Sequence, residues 1–268
     1  MHILINGRAE ERLDARDRGL QYGDGLYETL AVVAGRPRFL DWHFERLAHG
    51  ATCLGIPLPD FGKLRAELAA ACPEARGVVK VILTRGVGPR GFRPPSHPEP
   101  TRIVAASAWP DRAATLWSEG VRLGWCRTRY GRNPALAGIK HLNRLEQVLA
   151  RAEWDDESMD EGLMQDDQDL VISATQANVF ARIDGRWTTP ALDQCGVAGI
   201  MRRAFLGWSA EVGDPVVARA LPARKLASAT HIVLTNSLIG AWPVREIAGR
   251  SLALDPGVAQ FNDWLVRQ

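Results

Sequence analysis

Residues 137–147 read AGIKHLNRLEQ, and this segment decides how the rest of the sequence is interpreted. Its lysine, Lys140, follows small and apolar residues at a point where a strand is expected to give way to a helix. A lysine held there and partly removed from water has a lowered pKa, so it can act as nucleophile and base. A solvated surface lysine is nevertheless the commoner arrangement. Lys140 alone therefore does not establish a reaction.

Three other segments have the local geometry that binds a phosphate group. GVAGIM leads into a predicted helix, whose first backbone amides are expected to point at an anion. LTNSLIGAWPV places small polar residues after a strand, and HFERL carries an arginine on a helix. Each feature alone is more often a helix cap or a surface charge. Combined with the lysine, they suggest a pyridoxal phosphate enzyme without establishing it. The residues concerned are Arg46, Ile200, Met201, Thr235, Asn236 and Ser237.

The composition excludes several other classes of protein. The 268 residues carry 33 lysines and arginines against 31 acids, and a net charge of +2 does not favour nucleic acid or a membrane surface. No apolar run approaches the ~20 residues of a membrane span, and the N-terminus turns polar too early for a signal peptide. The four cysteines lack CxxC spacing and the six histidines lack metal-binding spacing. These features indicate a cytoplasmic protein with reduced thiols and no metal site.

The order of elements predicts an α+β protein in two domains. An N-terminal α+β domain is expected over residues 1–107, with antiparallel strands and two helices on one face. Strand periodicity is lost in WPDRAATLWSE, so residues 108–118 are interpreted as a linker. The C-terminal α/β domain, residues 119–268, is expected to carry Lys140.

Three helices are predicted from caps and apolar spacing. The first is capped by Asp41 and the second by Asp60, while the third spans NRLEQVLARAEW. Residues expected on the apolar sides of the first and third helices are Trp42, Leu47, Leu54, Leu145, Val148 and Leu149.

One motif is misleading. Residues 86–91, GVGPRG, satisfy the G-x-G-x-x-G pattern of dinucleotide-binding loops and follow a strand. A dinucleotide-binding loop must run directly into a helix, whereas the prolines of FRPPSHPEP forbid one here. The sequence also lacks a G-x-S-x-G nucleophile elbow. These residues are therefore predicted to form a flexible loop.

The motifs, taken in order, resemble those of fold-type IV pyridoxal phosphate enzymes, and most closely the aminodeoxychorismate lyase branch. D-amino-acid and branched-chain aminotransferases are the other branches. The resemblance spans nearly the whole chain. The segments that carry it are GLQYGDGLYETLAV, HFERL, LTRGVGPRGF, AGIKHLNRLEQVLAR, ANVF, LDQCGVAGIMR and TNSLIGAWPV.

The resemblance implies a two-domain fold with pyridoxal 5'-phosphate at the domain interface, a homodimer, and a role for particular residues. Lys140 matches the Schiff-base lysine, and Arg46 matches the arginine that holds the cofactor phosphate. Thr29, two residues after Tyr27, matches a threonine of the lyases that the aminotransferases usually lack. The other residues implied to bind the cofactor are Ile200 and Met201, through their backbone amides, and Asn236, which is also implied to face the substrate together with Thr29 and Tyr27.

The loop from Arg85 to Arg93 is interpreted as a basic lid over the substrate. Its three arginines, Arg85, Arg90 and Arg93, lie among glycines and prolines, which suits a mobile segment that binds carboxylates. A solvated loop without this role is an equally good interpretation.

One position departs from the family pattern. The family has a glutamate five residues before the asparagine of ANVF, and this glutamate pairs with the pyridine nitrogen. Ser173 occupies that position here. A neutral hydroxyl cannot hold the ring nitrogen protonated as a carboxylate does. The resemblance therefore implies an unusual electronic environment for the cofactor, which a lyase tolerates better than a transaminase.

The most favoured function is therefore a lyase that converts aminodeoxychorismate to 4-aminobenzoate and pyruvate, a step of folate biosynthesis. The first alternative is a D-amino-acid or branched-chain aminotransferase of the same fold. The second is a paralogue that retains the fold but has lost its chemistry.

Overall fold

A computed structural model describes residues 2–154 and 159–268, which divide into two compact units. The first unit extends to Asp111 and also includes Ile139–Asn143. The second comprises Arg112–Gly138 and the chain from Arg144 onward. The division at Asp111 and Arg112 falls inside the segment predicted as a linker.

The first unit is an antiparallel sheet with helices packed on it. The strand order is β2-β1-β6-β5-β3-β4. Helix α2 packs on β3, while α3 packs on β6 and β1. The strands are β1 (His2–Ile5), β2 (Arg8–Ala9), β3 (Gly25–Val33), β4 (Arg36–Pro37), β5 (Arg76–Thr84) and β6 (Thr101–Ala108). The helices are α1 (Arg18–Tyr22), α2 (Leu40–Leu54) and α3 (Phe61–Ala71).

The second unit is a mixed sheet with the order β12-β11-β10-β13-β14-β7-β8-β9, to which β15 adds on β14. Helix α6 packs on β13, α7 on β14 and α5 on β8. The helices are α4 (Thr115–Ser118), α5 (Leu145–Arg151), α6 (Ile200–Glu211) and α7 (Gly257–Val266), with a 3-10 turn at Ala223–Ser228. The strands are β7 (Val121–Trp125), β8 (Glu161–Gln165), β9 (Val171–Ala174), β10 (Asn178–Ile183), β11 (Arg186–Pro190), β12 (Val217–Arg219), β13 (His231–Asn236), β14 (Gly240–Ile247) and β15 (Arg250–Ser251).

These elements confirm the α+β class predicted from the sequence. Asp60 caps α3, as predicted. Its side-chain carboxylate accepts the backbone N–H of Lys63 at 3.1 Å. The segment NVFARIDGRWTT, with its Asp-Gly pair at 184 and 185, predicts a β-hairpin, and this hairpin is present: both residues have the positive φ that its tight turn requires. Residues 86–91 are followed by irregular chain and not by a helix.

The helix that Asp41 was expected to cap begins at Leu40, two residues earlier than predicted, so Asp41 is not its cap. Phe39 precedes it in a left-handed conformation, and its ring stacks on Trp42 with centroids 4.5 Å apart. Asp41 lies in the first turn, where its charge favours the helix N-terminus. The buried side of α2 consists of His43, Phe44, Leu47, Gly50 and Ala51.

The assignment of Lys140 to the C-terminal domain is wrong. The segment Ile139–Asn143 belongs to the first unit because it pairs with the start of β3. Tyr27 donates its backbone N–H to the Lys140 carbonyl at 3.0 Å, and Leu142 donates to the Gly25 carbonyl at 2.9 Å. Residues 139–143 therefore pair with the sheet of the first unit, whereas the chain on both sides of them belongs to the second unit.

The third predicted helix exists as α5, but its apolar residues are not part of a core. Leu145, Val148 and Leu149 are 75%, 61% and 60% exposed. Their spacing is helical, as expected, and places the three side chains on one face. That face has no covering element in this chain among the described residues.

Candidate active site

In the first unit, Lys140 lies over an aromatic ring on β3. Its Nζ is 4.1 Å from the ring centroid of Tyr27, and Lys80 Nζ lies 5.1 Å from the same centroid. Side chains two residues apart on a strand share a face, so Thr29 is on the same face of β3 as Tyr27. The structure therefore brings Lys140, Tyr27 and Thr29 to one side of the strand.

A buried charge cluster occupies the opposite face of β3. Glu28 is 2% exposed and accepts a hydrogen bond from Arg46 Nε at 2.8 Å and a second, very short one from an Arg46 terminal nitrogen. His43 Nδ1 is 2.5 Å from Oε2 of the same carboxylate, the oxygen that also accepts from the terminal nitrogen of Arg46. Arg46 is thus held in a fixed orientation by a strand residue, through two of its three guanidinium nitrogens.

The protonation states in this cluster follow from burial and from the charges around it. Burial opposes ionisation of Glu28, but the Arg46 charge and the hydrogen bonds from Arg46 and His43 outweigh it and hold the pKa near 2. Burial lowers the pKa of His43, against the opposing effect of Glu28. His43 is therefore neutral at pH 7, and the carboxylate places its proton on Nδ1.

Sequence reasoning missed Glu28 and His43. Two signals were available: Glu28 alternates with Tyr27 and Thr29 on a strand, and His43 lies three residues before Arg46 on a helix. A carboxylate on the core side of a strand requires a cationic partner.

In the second unit, the N-terminus of α6 has no side-chain cap. Gly199 precedes the helix, and a Cβ there would lie 2.1 Å from Asn178 Oδ1. The Asn178 amide also donates to the Val197 carbonyl at 2.9 Å. The first amides of α6, at Ile200 and Met201, are thus held by a tight turn that admits only glycine.

Thr235 lies beside this turn through its strand pairing. It is directly opposite Asn178 in the β10–β13 pair, so both side chains share a face of the sheet. Thr235 is fully buried, and its hydroxyl oxygen has no hydrogen-bond partner in the part of the chain that the structure describes. A buried hydroxyl normally has a partner, so Thr235 is a better candidate phosphate ligand than the neighbouring Asn236.

Asn236 has a structural role instead. Its Oδ1 accepts the backbone N–H groups of Leu238 and Ile239 at 2.9 and 3.0 Å, and its Nδ2 donates to the Gln176 carbonyl at 3.1 Å. These three bonds hold the turn between β13 and β14. The side chain of Asn236 is thereby already engaged.

Ser173, the residue at the position of the family glutamate, is buried in a hydroxyl pair. Its Oγ is 2.8 Å from the hydroxyl of Tyr130 and 2.7 Å from the carbonyl oxygen of Ala174. The side chains of Ser173 and Tyr130 are both about 5% exposed. Tyr130 was not identified from the sequence, because a tyrosine after a strand has no spacing that predicts a site.

Arg85 does not belong to a mobile lid. It is 5% exposed, and it makes a two-pronged contact with Asp24 at 2.7 and 3.0 Å. The same guanidinium donates to the carbonyls of Leu54 and Gly55, both at 2.7 Å. Arg90 and Arg93 are exposed and remain candidates for binding an anionic substrate.

Two further observations concern the described part of the chain. Within residues 2–154 and 159–268, no group of three His, Cys, Asp or Glu residues is arranged to hold a metal ion. In the same ranges, no helix is both long enough and apolar enough to cross a membrane.

The comparisons with known proteins agree with this geometry. Residues 25–247 match the profile of the family described as amino-transferase class IV. The chain belongs to this family. The fold-type IV resemblance drawn from the sequence motifs is thereby confirmed.

Individual members of the class IV family resemble the chain over nearly its whole length. It is 34% identical over 252 residues to the aminodeoxychorismate lyase of Vibrio harveyi, which covers 94% of this chain and 93% of that one. The crystal structure of 4-amino-4-deoxychorismate lyase from Pseudomonas aeruginosa matches with a TM-score of 0.95 and 44% identity, covering 99% and 98%. The D-alanine aminotransferase of Listeria innocua is 28% identical over 282 residues, covering 100% and 96%.

The position of Arg85 predicts a loss of stability when it is replaced. Arg85→Gln leaves the half-buried Asp24 carboxylate with fewer partners, and we expect the free energy of unfolding to fall by about 3 kcal/mol. Arg93→Gln, in the same loop but exposed, is expected to change it by less than about 0.5 kcal/mol. Denaturant unfolding of the two variants measures the difference. If Arg85→Gln and Arg93→Gln were equally stable, the buried contacts of Arg85 would not stabilise the fold.

The turn before α6 makes a second prediction. Gly199→Ala places a methyl group against Asn178 and is expected to destabilise the protein by about 1–3 kcal/mol. Gly207→Ala on the same helix meets no atom within 4 Å and is expected to be neutral or stabilising by up to about 1 kcal/mol. Urea denaturation distinguishes them. A Gly199→Ala protein as stable as Gly207→Ala would contradict the tight turn.

Proposed function

We propose that this chain is a pyridoxal-phosphate-dependent aminodeoxychorismate lyase, which converts 4-amino-4-deoxychorismate to 4-aminobenzoate and pyruvate. The observation that carries the proposal is the 44% identity, over 99% of the chain, to a solved 4-amino-4-deoxychorismate lyase. At this identity and coverage, the likeness extends beyond the fold that the aminotransferases share.

The residues of the second unit fit the phosphate end of the cofactor. The helix N-terminus at Ile200 and Met201 offers backbone N–H groups and a favourable dipole. The hydroxyl of Thr235 has no partner among the described residues and is available to donate to a phosphate oxygen. In the first unit, Arg46 is held by Glu28, and the family resemblance implies a phosphate-binding role for its guanidinium.

The residues of the first unit fit the aldehyde end. Lys140 is fixed through its backbone to β3, so its amine is presented from a rigid strand and not from a loose loop. A pyridoxal phosphate held here would supply an electron-withdrawing ring that acidifies the carbon carrying the substrate amine, and the amine of Lys140 would lie within reach of that carbon.

The chain's own residues then move two protons. Lys140 removes the proton from the amine-bearing carbon of the substrate. The electron pair of that C–H bond forms the aromatic ring as the neighbouring C–O bond breaks, and the enolpyruvyl group leaves. Thr29, on the same face of β3 as Tyr27, donates the proton that turns the departing group into pyruvate. No co-reactant is required, because the products together contain all the atoms of the substrate.

Arg90 and Arg93 are proposed to bind the substrate carboxylates, with Tyr27 as an aromatic contact. Both arginines are exposed and lie in a loop of glycines and prolines. Arg85 is omitted from this role because its guanidinium is engaged by Asp24. Asn236 contributes by holding the turn that follows Thr235.

The second candidate function is transamination of a D-amino acid. It is favoured by the 28% identity to the D-alanine aminotransferase of Listeria innocua over the full chain. The two reactions differ in their need for a second substrate, because a transaminase requires an oxo acid to complete its cycle.

The experiment that separates them is an assay of pyruvate from 4-amino-4-deoxychorismate without any oxo acid. We expect stoichiometric formation of pyruvate and 4-aminobenzoate over many turnovers. Turnover that depends on an added oxo acid would support the transaminase instead. A protein that binds the cofactor but converts neither substrate would support the catalytically impaired paralogue.

Replacement of the proposed base tests the role of Lys140. Lys140→Ala is expected to lower kcat for pyruvate release by at least about 10²-fold, because the proton-transfer group is lost. Lys80→Ala is the matched control, since Lys80 also lies over the Tyr27 ring, and it should retain activity within a few-fold. Loss of activity in the control and not in Lys140→Ala would reverse the assignment.

We further propose that the protein is a homodimer in which the apolar face of α5 is covered by a second copy. Leu145, Val148 and Leu149 project together from that face, each more than half exposed. Clustered exposed apolar side chains of this kind mark association surfaces.

The corresponding prediction concerns mass in solution. The wild-type protein is expected at twice the chain mass by light scattering, and changing the three residues to serine is expected to yield monomer. Matched serine changes at Leu58, Val212 and Val217, which are 56%, 54% and 49% exposed, should leave the dimer intact. A monomeric wild-type protein, or a dimer that survives the α5 changes, would contradict this interface.

A cytoplasmic location is proposed from the cysteines. Cys53, Cys72, Cys126 and Cys195 are all free thiols. Burial raises the pKa of Cys126 and of Cys195 to about 12, so these two stay protonated at neutral pH. Unpaired thiols are typical of the reducing cytoplasm.

A further inference from the structure

Ser173 occupies the position at which the family resemblance implies a glutamate, and its hydroxyl pairs with that of Tyr130. Ser173 lies on β9, paired with Met164 of β8, and its hydroxyl is buried. Tyr130 lies in the segment between β7 and α5, and its backbone N–H donates to the Gln165 carbonyl at 2.9 Å. The two side chains therefore meet from separately anchored segments of the second unit.

The direction of the hydrogen bonds in this pair follows from the number of protons. Ser173 has one hydroxyl proton, which it donates to the Ala174 carbonyl at 2.7 Å. The 2.8 Å contact with Tyr130 must then use the tyrosine proton, with Ser173 as the acceptor. Tyr130 thus polarises the Ser173 hydroxyl and makes it a stronger donor.

The side chains that cluster with Tyr130 are apolar or thiol groups, including Met164, Ile172 and Cys195. Burial raises the pKa of the Tyr130 hydroxyl, and its hydrogen bonds with Ser173 and Gln147, followed by the positive charge of Arg144, act in the opposite direction.

Asp166 directly follows β8, and its carboxylate already has hydrogen-bond partners. It is bound by Arg132 at 2.8 Å and by the backbone N–H groups of Gln168 and Leu170. The Asp166 carboxylate is therefore not available to pair with a pyridinium beside Tyr130 and Ser173.

We propose that Tyr130 and Ser173 form a neutral relay that leaves the pyridine nitrogen of the bound cofactor unprotonated, with Tyr130 as the positioning residue. This inference rests on the proposed function. When the cofactor binds, the Ser173 proton turns from the Ala174 carbonyl to the bare nitrogen, while Tyr130 continues to donate to Ser173 Oγ. Both hydroxyls keep their protons throughout, so no charge is created.

The protonation state of the ring nitrogen affects whether elimination or transamination is favoured. An unprotonated ring withdraws electrons less strongly, so it stores the electron pair of the broken C–H bond poorly. Elimination sends that pair directly into the departing group, whereas transamination must return a proton at the cofactor carbon. Tyr130 and Ser173 are therefore specificity-determining for elimination over transamination.

The test is ¹⁵N NMR of the holoenzyme loaded with pyridoxal phosphate labelled at the ring nitrogen. The wild-type signal is expected at the position of an unprotonated, hydrogen-bonded pyridine. Ser173→Ala should move it toward that of a pyridine without a hydrogen bond, and Tyr130→Phe should move it part of the way in the same direction. Ser173→Glu should move it toward pyridinium and raise the ratio of transamination to pyruvate release.

Tyr130→Phe keeps the ring in the core and removes only the hydroxyl. Loss of one neutral hydrogen bond should weaken cofactor binding by roughly 2- to 12-fold, measured by equilibrium dialysis. Phe180→Leu, in the same unit but away from the pair, serves as a control for general loosening and should leave the ¹⁵N signal unchanged.

The outcomes separate this inference from the proposed function. A pyridinium signal in the wild-type protein, with pyruvate still released without an oxo acid, would overturn the relay and leave the lyase assignment intact. A signal unchanged in both Tyr130→Phe and Ser173→Ala would also overturn it. A protein that retains no cofactor and releases no pyruvate would overturn both. If Tyr130→Phe does not fold, the wild-type and Ser173→Ala signals decide.

Discussion

The backbone pairing of residues 139–143 with β3 is the constraint on which the site in the first unit depends. Tyr27 and Gly25 exchange hydrogen bonds with Lys140 and Leu142, and these bonds fix the lysine to the sheet. The pairing tolerates no side chain at Gly25, where a Cβ would lie 2.6 Å from the Leu83 carbonyl and 2.8 Å from a methyl group of Leu142. The lysine's position is therefore set by close packing of main chain, and not by its own side-chain contacts.

The other face of β3 carries the buried charge cluster of Glu28, Arg46 and His43. Alternation along β3 directs Tyr27 and Thr29 to one side and Glu28 to the other. Glu28 stays ionised although it is buried, because Arg46 and His43 satisfy both of its oxygens. Removing either partner would leave a buried charge incompletely paired, which costs far more than the pair itself contributes. One strand thus orients the proposed base, the proposed proton donor and the arginine proposed to bind phosphate.

Much of the fold could be predicted because its signals are local. The turn at Asp184 and Gly185, the cap at Asp60 and the start of α6 at Ile200 each depend on a few adjacent residues. The pairing of Leu26 with His141 joins segments more than a hundred residues apart, so periodicity could not reveal it and Lys140 was assigned to the wrong domain.

The site was predicted less completely for the same reason. Lys140, Arg46 and the amides of α6 lie in motifs that carry a family resemblance. Glu28 and Tyr130 act only through partners that are distant in sequence, and Asn236 lies in a phosphate-type motif but holds a turn. The apolar spacing of α5 was recognised, but spacing alone does not show whether a face packs within its own chain.

The most direct test of this account is to locate the covalent attachment of the cofactor. The holoenzyme is reduced with borohydride and digested, and the peptide that carries the pyridoxyl group is identified by mass spectrometry. The account predicts a single labelled peptide with the modification on Lys140. Label on Lys63, Lys80 or Lys225, or none on the chain, would contradict it.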